Sequence, residues 1–188
     1  LLTLALASVA SAAFADRPVE TGSQLVRLQP GYGGECEGCN LSGRLLSGAR
    51  IAGGVFRHAD FSRAVMVRVQ AAGSIFEHAD FTEADLAHVN LVAALCANAT
   101  FTDANLRNAD ATRADLSHAS FEHADMRDGE FVGTRFYGAK LASARLAGAN
   151  FSGAEMRRAT GLTQAQLNEA CGDRETRLPR GLEIPACP

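Results

Sequence analysis

The sequence predicts an all-β repeat coil, a chain that keeps one apolar side inward while turning a corner every five residues. Two observations predict it. From Leu41 to Met156 every fifth residue is apolar, twenty-four in succession without an insertion. Two places before most of these stands a small residue, usually alanine, as at Ala59, Ala84, Ala104 and Ala149. Residues two apart share a face of an extended chain, but an alternation that restarts every five residues cannot continue as one strand. A helix is excluded as well, because positions five apart advance around its axis and never form one stripe at i, i+3, i+4 and i+7. Self-similarity at a fixed period marks a repeat architecture.

Residues 1–15 are an apolar run closing on Ala13-Phe14-Ala15 before Asp16, which reads as the tail of a secretory signal with an A-x-A cleavage site. The run is shorter than the ~20 residues a bilayer-spanning helix needs. Export follows, to the periplasm or the medium, and with it an oxidising compartment. Residues 16–38 carry Pro18, Pro30 and several glycines and read as an irregular approach to the coil, which occupies residues 39–158. Of the five cysteines, Cys96 stands at an inward position and reads as a buried, inert thiol. The other four lie at the rims, and in an exported chain the natural pairing is Cys36 with Cys39 and Cys171 with Cys187. A C-x-x-C can also serve redox work or a metal. No βαβ pattern surrounds this one and no second C-x-x-C follows, so a structural clasp leads those two readings.

After Arg158 the period breaks, and residues 159–188 read as a cap. Thr163 and Gln166 form a capping box, Leu162 and Leu167 a hydrophobic staple, and Gly172 is placed to end the helix. The remainder, with Pro179 and Pro185, reads as an extended tail tied back through Cys187. Such a cap has a purpose, since the open end of a coil presents unpaired strand edges.

The blocks Ala59-Asp60-Phe61-Ser62-Arg63, Ala84-Asp85-Leu86-Ala87-His88, Ala104-Asn105-Leu106-Arg107-Asn108 and Ala149-Asn150-Phe151-Ser152-Gly153 resemble the pentapeptide-repeat family, whose unit is Ala-Asp/Asn-Leu/Phe-x-x. The resemblance implies a right-handed quadrilateral parallel β-helix of about six coils, a rod on the order of 29 Å long at ~4.8 Å per coil. With four repeats per coil, residues twenty apart stack. One side then carries Leu41, Phe61, Phe81, Phe101, Phe121 and Leu141, and its neighbour Phe56, Phe76, Cys96, Leu116, Phe136 and Met156. In the third column Ala71 and Ala111 offset the bulk opposite, which reads as core compensation.

Function then belongs to the outer walls. The net charge of −3 predicts no general attraction to nucleic acid or membrane. Charge runs in blocks: basic over 39–76, acidic over 77–130, basic again over 131–158. His58 and His78 stack in adjacent coils without a carboxylate or thiolate in their own column to complete a metal site, so they read as solvated surface groups. Val55, Ile75 and Leu95 stack at positions where the family prefers Asp or Asn, with Val92 nearby. This contiguous apolar patch predicts either a cover formed by residues 19–35 or a contact with a homodimer mate or another protein. The glycines recur with the repeat and suit its corners, and no nucleophile elbow, phosphate loop or H-E-x-x-H is present. No catalytic, cofactor-binding or metal residue is therefore assigned. The sequence points to a non-catalytic exported scaffold for a protein or cell-envelope partner. The alternative implied by the resemblance is a DNA-mimicking protein that binds a type II topoisomerase in the cytoplasm, as quinolone-resistance members do.

Overall fold

The computed structural model describes residues 19–21, 24–26 and 34–188. Its core is a right-handed, four-sided β-helix. The residue at the middle of each side bridges its counterpart twenty positions on, in parallel, beginning with Glu35 and Val55 and continuing through Arg135 and Glu155. The column from Glu35 to Glu155 makes six turns, so the coil opens four residues before Cys39, where the apolar repeat alone would start it. Upstream, in the stretch read as irregular, β1 (Val19–Thr21) and β2 (Gln24–Val26) pair antiparallel with Val19 opposite Val26.

Each corner is a β-turn closed by a backbone bond, as from Ala49 N–H to the Leu46 carbonyl at 2.9 Å and from Ala64 N–H to the Phe61 carbonyl at 3.0 Å. Its third residue has positive φ at every corner from Gly38 (64°) to Arg158 (61°), the conformation a type II turn demands there. Sixteen of these residues are not glycine. All five histidines of the chain are among them, together with Asn98, Asp103, Asn108 and Asp128. His, Asn and Asp tolerate this backbone region better than other side chains. The histidines are thus corner residues first, a role that sequence reasoning missed although all five share one position of the repeat.

From Ile51 onward the inward slots are buried throughout the coil. Phe61, Phe81, Phe101 and Phe121 are wholly buried and stack with ring centroids 5.0, 4.9 and 4.9 Å apart. Phe56 stacks on Phe76 at 5.4 Å and meets the neighbouring column edge-on. Where a ring leans over the small slot of its own repeat, that slot must be glycine: a Cβ at Gly129 would lie 2.5 Å from the Phe131 ring. Two small slots hold hydroxyls, and each is satisfied, Ser74 donating to the Ile51 carbonyl and Thr134 to the Ala111 carbonyl, both at 2.7 Å.

The C-terminal end is closed by α1 (Gln164–Asn168) and the tail. The capping box at Thr163 and Gln166 forms, and Gln166 Nε2 reaches past it to donate to the carbonyls of Leu141 and Ala144 at 3.0 and 2.8 Å. Open N–H groups of the last turn find partners in the cap: Gly148 donates to Glu169, Phe151 to Cys171 and Met156 to Arg177. Leu167 is wholly buried in the cap, and Leu162, Leu178 and Ile184 pack against the core. The helix stops sooner than Gly172, with Glu169 as its C-cap, because Cys171 returns to the coil and bridges Asn150. Gly172 serves the tail instead, exchanging backbone bonds with Pro185 and Cys187.

Candidate functional surface

Inward residues are consumed by packing, so only outward side chains are available to a partner. On many sides the central outward residue is Asp or Asn, and there its side chain accepts from the N–H two residues on, at the corner. Asp60 accepts from Ser62, Asp80 from Thr82, Asn90 from Val92, Asp110 from Thr112 and Asp115 from Ser117, all within 3.1 Å. Such local side-chain-to-backbone bonds favour turns. Much of the acidic belt is therefore turn chemistry.

Cross-coil pairing absorbs much of the rest. Arg57 meets Glu77 at 2.8 Å and Arg63 meets Glu83 at 3.2 Å, spanning the first boundary of the charge blocks. Arg135 meets Asp115 at 3.4 Å and Arg145 meets Asp125 at 3.3 Å, spanning the second. All four pairs are twenty residues apart, which explains why acidic and basic residues come in blocks along the chain. Exposed pairs contribute only ~0–1 kcal/mol each. The Arg127 guanidinium, bound to both Asp125 oxygens at 2.7 and 2.5 Å, holds that carboxyl below the usual carboxylate range against the opposing effect of partial burial. Arg157 does the same to Glu155.

Val55, Ile75 and Leu95 break this pattern. They occupy the central outward slot on three consecutive turns of one wall and bridge one another in register. An apolar side chain has no acceptor for the N–H two residues on, at Arg57, Glu77 and Ala97. Val55 and Ile75 are half-buried, while Leu95 remains 40% exposed. Val92 is half-buried on the adjoining corner, beside Ala72 and Ala52. The structure places three of the predicted patch residues on one wall and the fourth, Val92, on the corner beside it. The cover assigned to residues 19–35 falls mostly outside the described residues. Leu45, 77% exposed, and Val65, half-buried, hold the same slot on the opposite wall and bridge each other in register.

The cysteines separate into two kinds. Cys36 and Cys39 are paired across the first corner with Cα atoms 5.5 Å apart, filling its two inward slots, and Cys171 and Cys187 are paired with Cα atoms 4.8 Å apart. Cys96 is wholly buried, and that burial, aided by Asp115, pushes its thiol far above the ordinary range. The His58 and His78 rings stack at 4.9 Å, 10° from parallel, which aims their nitrogens side by side rather than at a common point. Among the described residues no group of three or more His, Cys, Asp and Glu could hold a metal ion, and no helix is long and apolar enough to cross a membrane.

A coil with a filled interior, a sealed C-terminal end and patterned walls defines a β-solenoid scaffold. The chain belongs to the pentapeptide repeat family, whose model matches eight copies over residues 64–94, 90–128 and 134–171. Among solved structures it is similar to a pentapeptide repeat protein of the Arabidopsis thaliana thylakoid lumen, at 29% identity and a TM-score of 0.48 over 50% of this chain. This chain spans 65% of that protein. It is also similar to QnrB1, a plasmid-mediated fluoroquinolone resistance protein, at 17% identity and a TM-score of 0.44 over 80% of this chain and 83% of that one. A third, from the cyanobacterium Cyanothece, has 22% identity and a TM-score of 0.31 over 77% and 90% of the two chains. No curated protein matches this chain.

Proposed function

We propose that this protein is an exported, non-catalytic scaffold, periplasmic or secreted, that works by offering one wall of its coil to a protein of the cell envelope. The observation that carries the reading is the Val55–Ile75–Leu95 ladder. At these three successive rungs the chain carries neither a turn-bonding Asp or Asn nor a charge, and keeps an apolar surface instead. The exchange is nearly neutral for the local coil, so we assign its benefit to what touches the wall. Paired rim cysteines around a shielded Cys96 suit an oxidising compartment. The neutralised charge blocks speak against a DNA mimic, which needs a continuous acidic surface.

A photo-crosslinking residue placed at position 75 in the native host tests the reading, with position 110 on another wall as control. Adducts to an envelope protein from position 75 and none from position 110 are expected. Equal adducts at both, or a cytoplasmic protein that alters topoisomerase supercoiling, would refute it.

A further inference from the structure

We infer that the β1–β2 pair lies across the N-terminal end of the coil and closes it, leaving the walls free. Three observations converge on that end.

The first is that the coil stops there. The residue at the middle of each side donates its N–H to the carbonyl twenty-one places earlier, as Asp60 does to Cys39, Val65 to Arg44 and Gln70 to Ala49. By the same geometry the N–H groups of Asn40, Leu45 and Arg50 face away from the body of the coil, toward the place of a preceding turn. That turn is ruled out on two of its sides, because Glu20 and Leu25, twenty places before Asn40 and Leu45, pair with each other antiparallel instead. The residues give the reason. Continued backward, the period would set Gln24 and Gln29 in inward slots, where an amide without a partner is costly.

The second is burial. Leu41 is only 1% exposed and Ile51 3%, although both belong to the outermost layer of the core. A bare end would leave one side of each in water. The cover comes from this chain itself, and residues 159–188 do not supply it, since they bridge Asn150 and Glu155 at the other end. The stretch before Gly34 is what remains. The cover is also uneven. Leu46 at 9% and the half-buried Ala49 keep more surface, and their corner stands diagonally opposite the corner that follows the chain's entry at Gly34. A flap laid in from the entry side covers that corner least.

The third is size. A side of the coil, about three extended residues between corners, measures on the order of 10 Å. Two paired three-residue strands cover ~10 Å by ~4.8 Å before side chains are added, so one pair spans the opening. Seven residues separate Val26 from Gly34, and at ~3.3–3.6 Å each they let the pair reach any part of the end. An isolated two-stranded pair is marginal in water and needs a surface to pack on. The end of the coil is such a surface, and covering it removes a strand edge open to other chains. A segment spent on the end is not available to cover the wall of Val55, Ile75 and Leu95.

The test uses the oxidised full chain with a photo-crosslinking benzophenone residue in place of Gln24, on β2. Peptide mapping after illumination should find adducts within the chain to residues 36–54. Adducts to the peptides that carry Ile75 or Leu95, or no adduct within the chain, would overturn the inference. A second measurement uses Gln24→Pro with Leu25→Pro, adjacent positions of which one donates to β1 in either phase of the ladder. Hydrogen exchange at the Leu41, Leu46 and Ile51 amides should quicken by at least ~10-fold, with the Phe101 and Phe121 amides unchanged. Exchange at the first turn that stays as slow as in the parent, or quickens no more than at Phe101 and Phe121, would also overturn it. The closed end and the partner contact fail separately: adducts from position 24 to residues 36–54, with no partner adduct from position 75, would keep the first and sink the second.

Discussion

Replacing Ile75 by Asn separates an open wall from a covered one, and the structure supplies the magnitudes. On an open wall the variant loses the contacts of a half-buried isoleucine, about half of the ~1.5–3 kcal/mol that full burial contributes. It regains the turn bond that its neighbours make. Asn90 accepts from Val92 N–H at 3.1 Å and Asn105 from Arg107 N–H at 3.2 Å, and the new amide stands in the same place relative to Glu77 N–H. Such a bond contributes ~0.5–1.5 kcal/mol. The two changes nearly cancel, leaving a net loss within ~1 kcal/mol. On a covered wall the same substitution forfeits the whole apolar contribution and also buries an amide without guaranteed partners, ~1–3 kcal/mol more. The total is then ~3–5 kcal/mol. For a chain of this size each kcal/mol moves the melting temperature by ~2–4 °C, so differential scanning calorimetry under non-reducing conditions resolves the alternatives. A shift under ~4 °C is expected, and a fall beyond ~8 °C would refute the open wall.

Other outcomes follow from the same geometry. Phe101→Ala removes a wholly buried ring stacked at 4.9 Å on both Phe81 and Phe121, and urea unfolding should register a loss of ~3–5 kcal/mol. Gly129→Ala drives a Cβ to 2.5 Å from the Phe131 ring and should cost ~1–3 kcal/mol, much of it recovered by adding Phe131→Leu. The carboxyls of Asp125 and Glu155 are depressed in the fold by Arg127 and Arg157. Their contribution is therefore complete above the unfolded carboxylate range, ~4, and is lost as pH falls through the lower folded values. Melting temperatures taken from pH ~6 downward should fall, and Arg127→Met should flatten that descent. Cys96, buried with its thiol pushed upward, should resist iodoacetamide in the native protein at neutral pH and react only on denaturation.

The coil was legible because its code is redundant. Leu41 through Met156 repeat one inward slot without a slip, and a register error anywhere would have thrown every later side chain outward. The cap was legible in its parts, since Thr163 and Gln166 carry a local signature. Its end was not, because Gly172 looks like a helix terminator but is claimed by the tail through Pro185 and Cys187, a tertiary contact invisible to local pattern. The start of the coil at Glu35 was hidden for a similar reason: a cystine fills the inward slots that Leu and Ala fill elsewhere, so the apolar repeat falls silent one corner early. On the surface, the column of Val55, Ile75 and Leu95 could be read once a period of twenty was in hand. What that column forgoes could not, because the Asp and Asn bonds to corner N–H groups depend on backbone geometry that composition does not reveal.

The most direct test of an exported scaffold acting through its walls is the intact mass of the protein recovered from its own host under non-reducing conditions. The account predicts a chain beginning at Asp16, four hydrogens lighter than the fully reduced form, with Cys96 as its single thiol. A chain that retains residues 1–15 and carries five free thiols would place the protein in a reducing compartment and contradict the account.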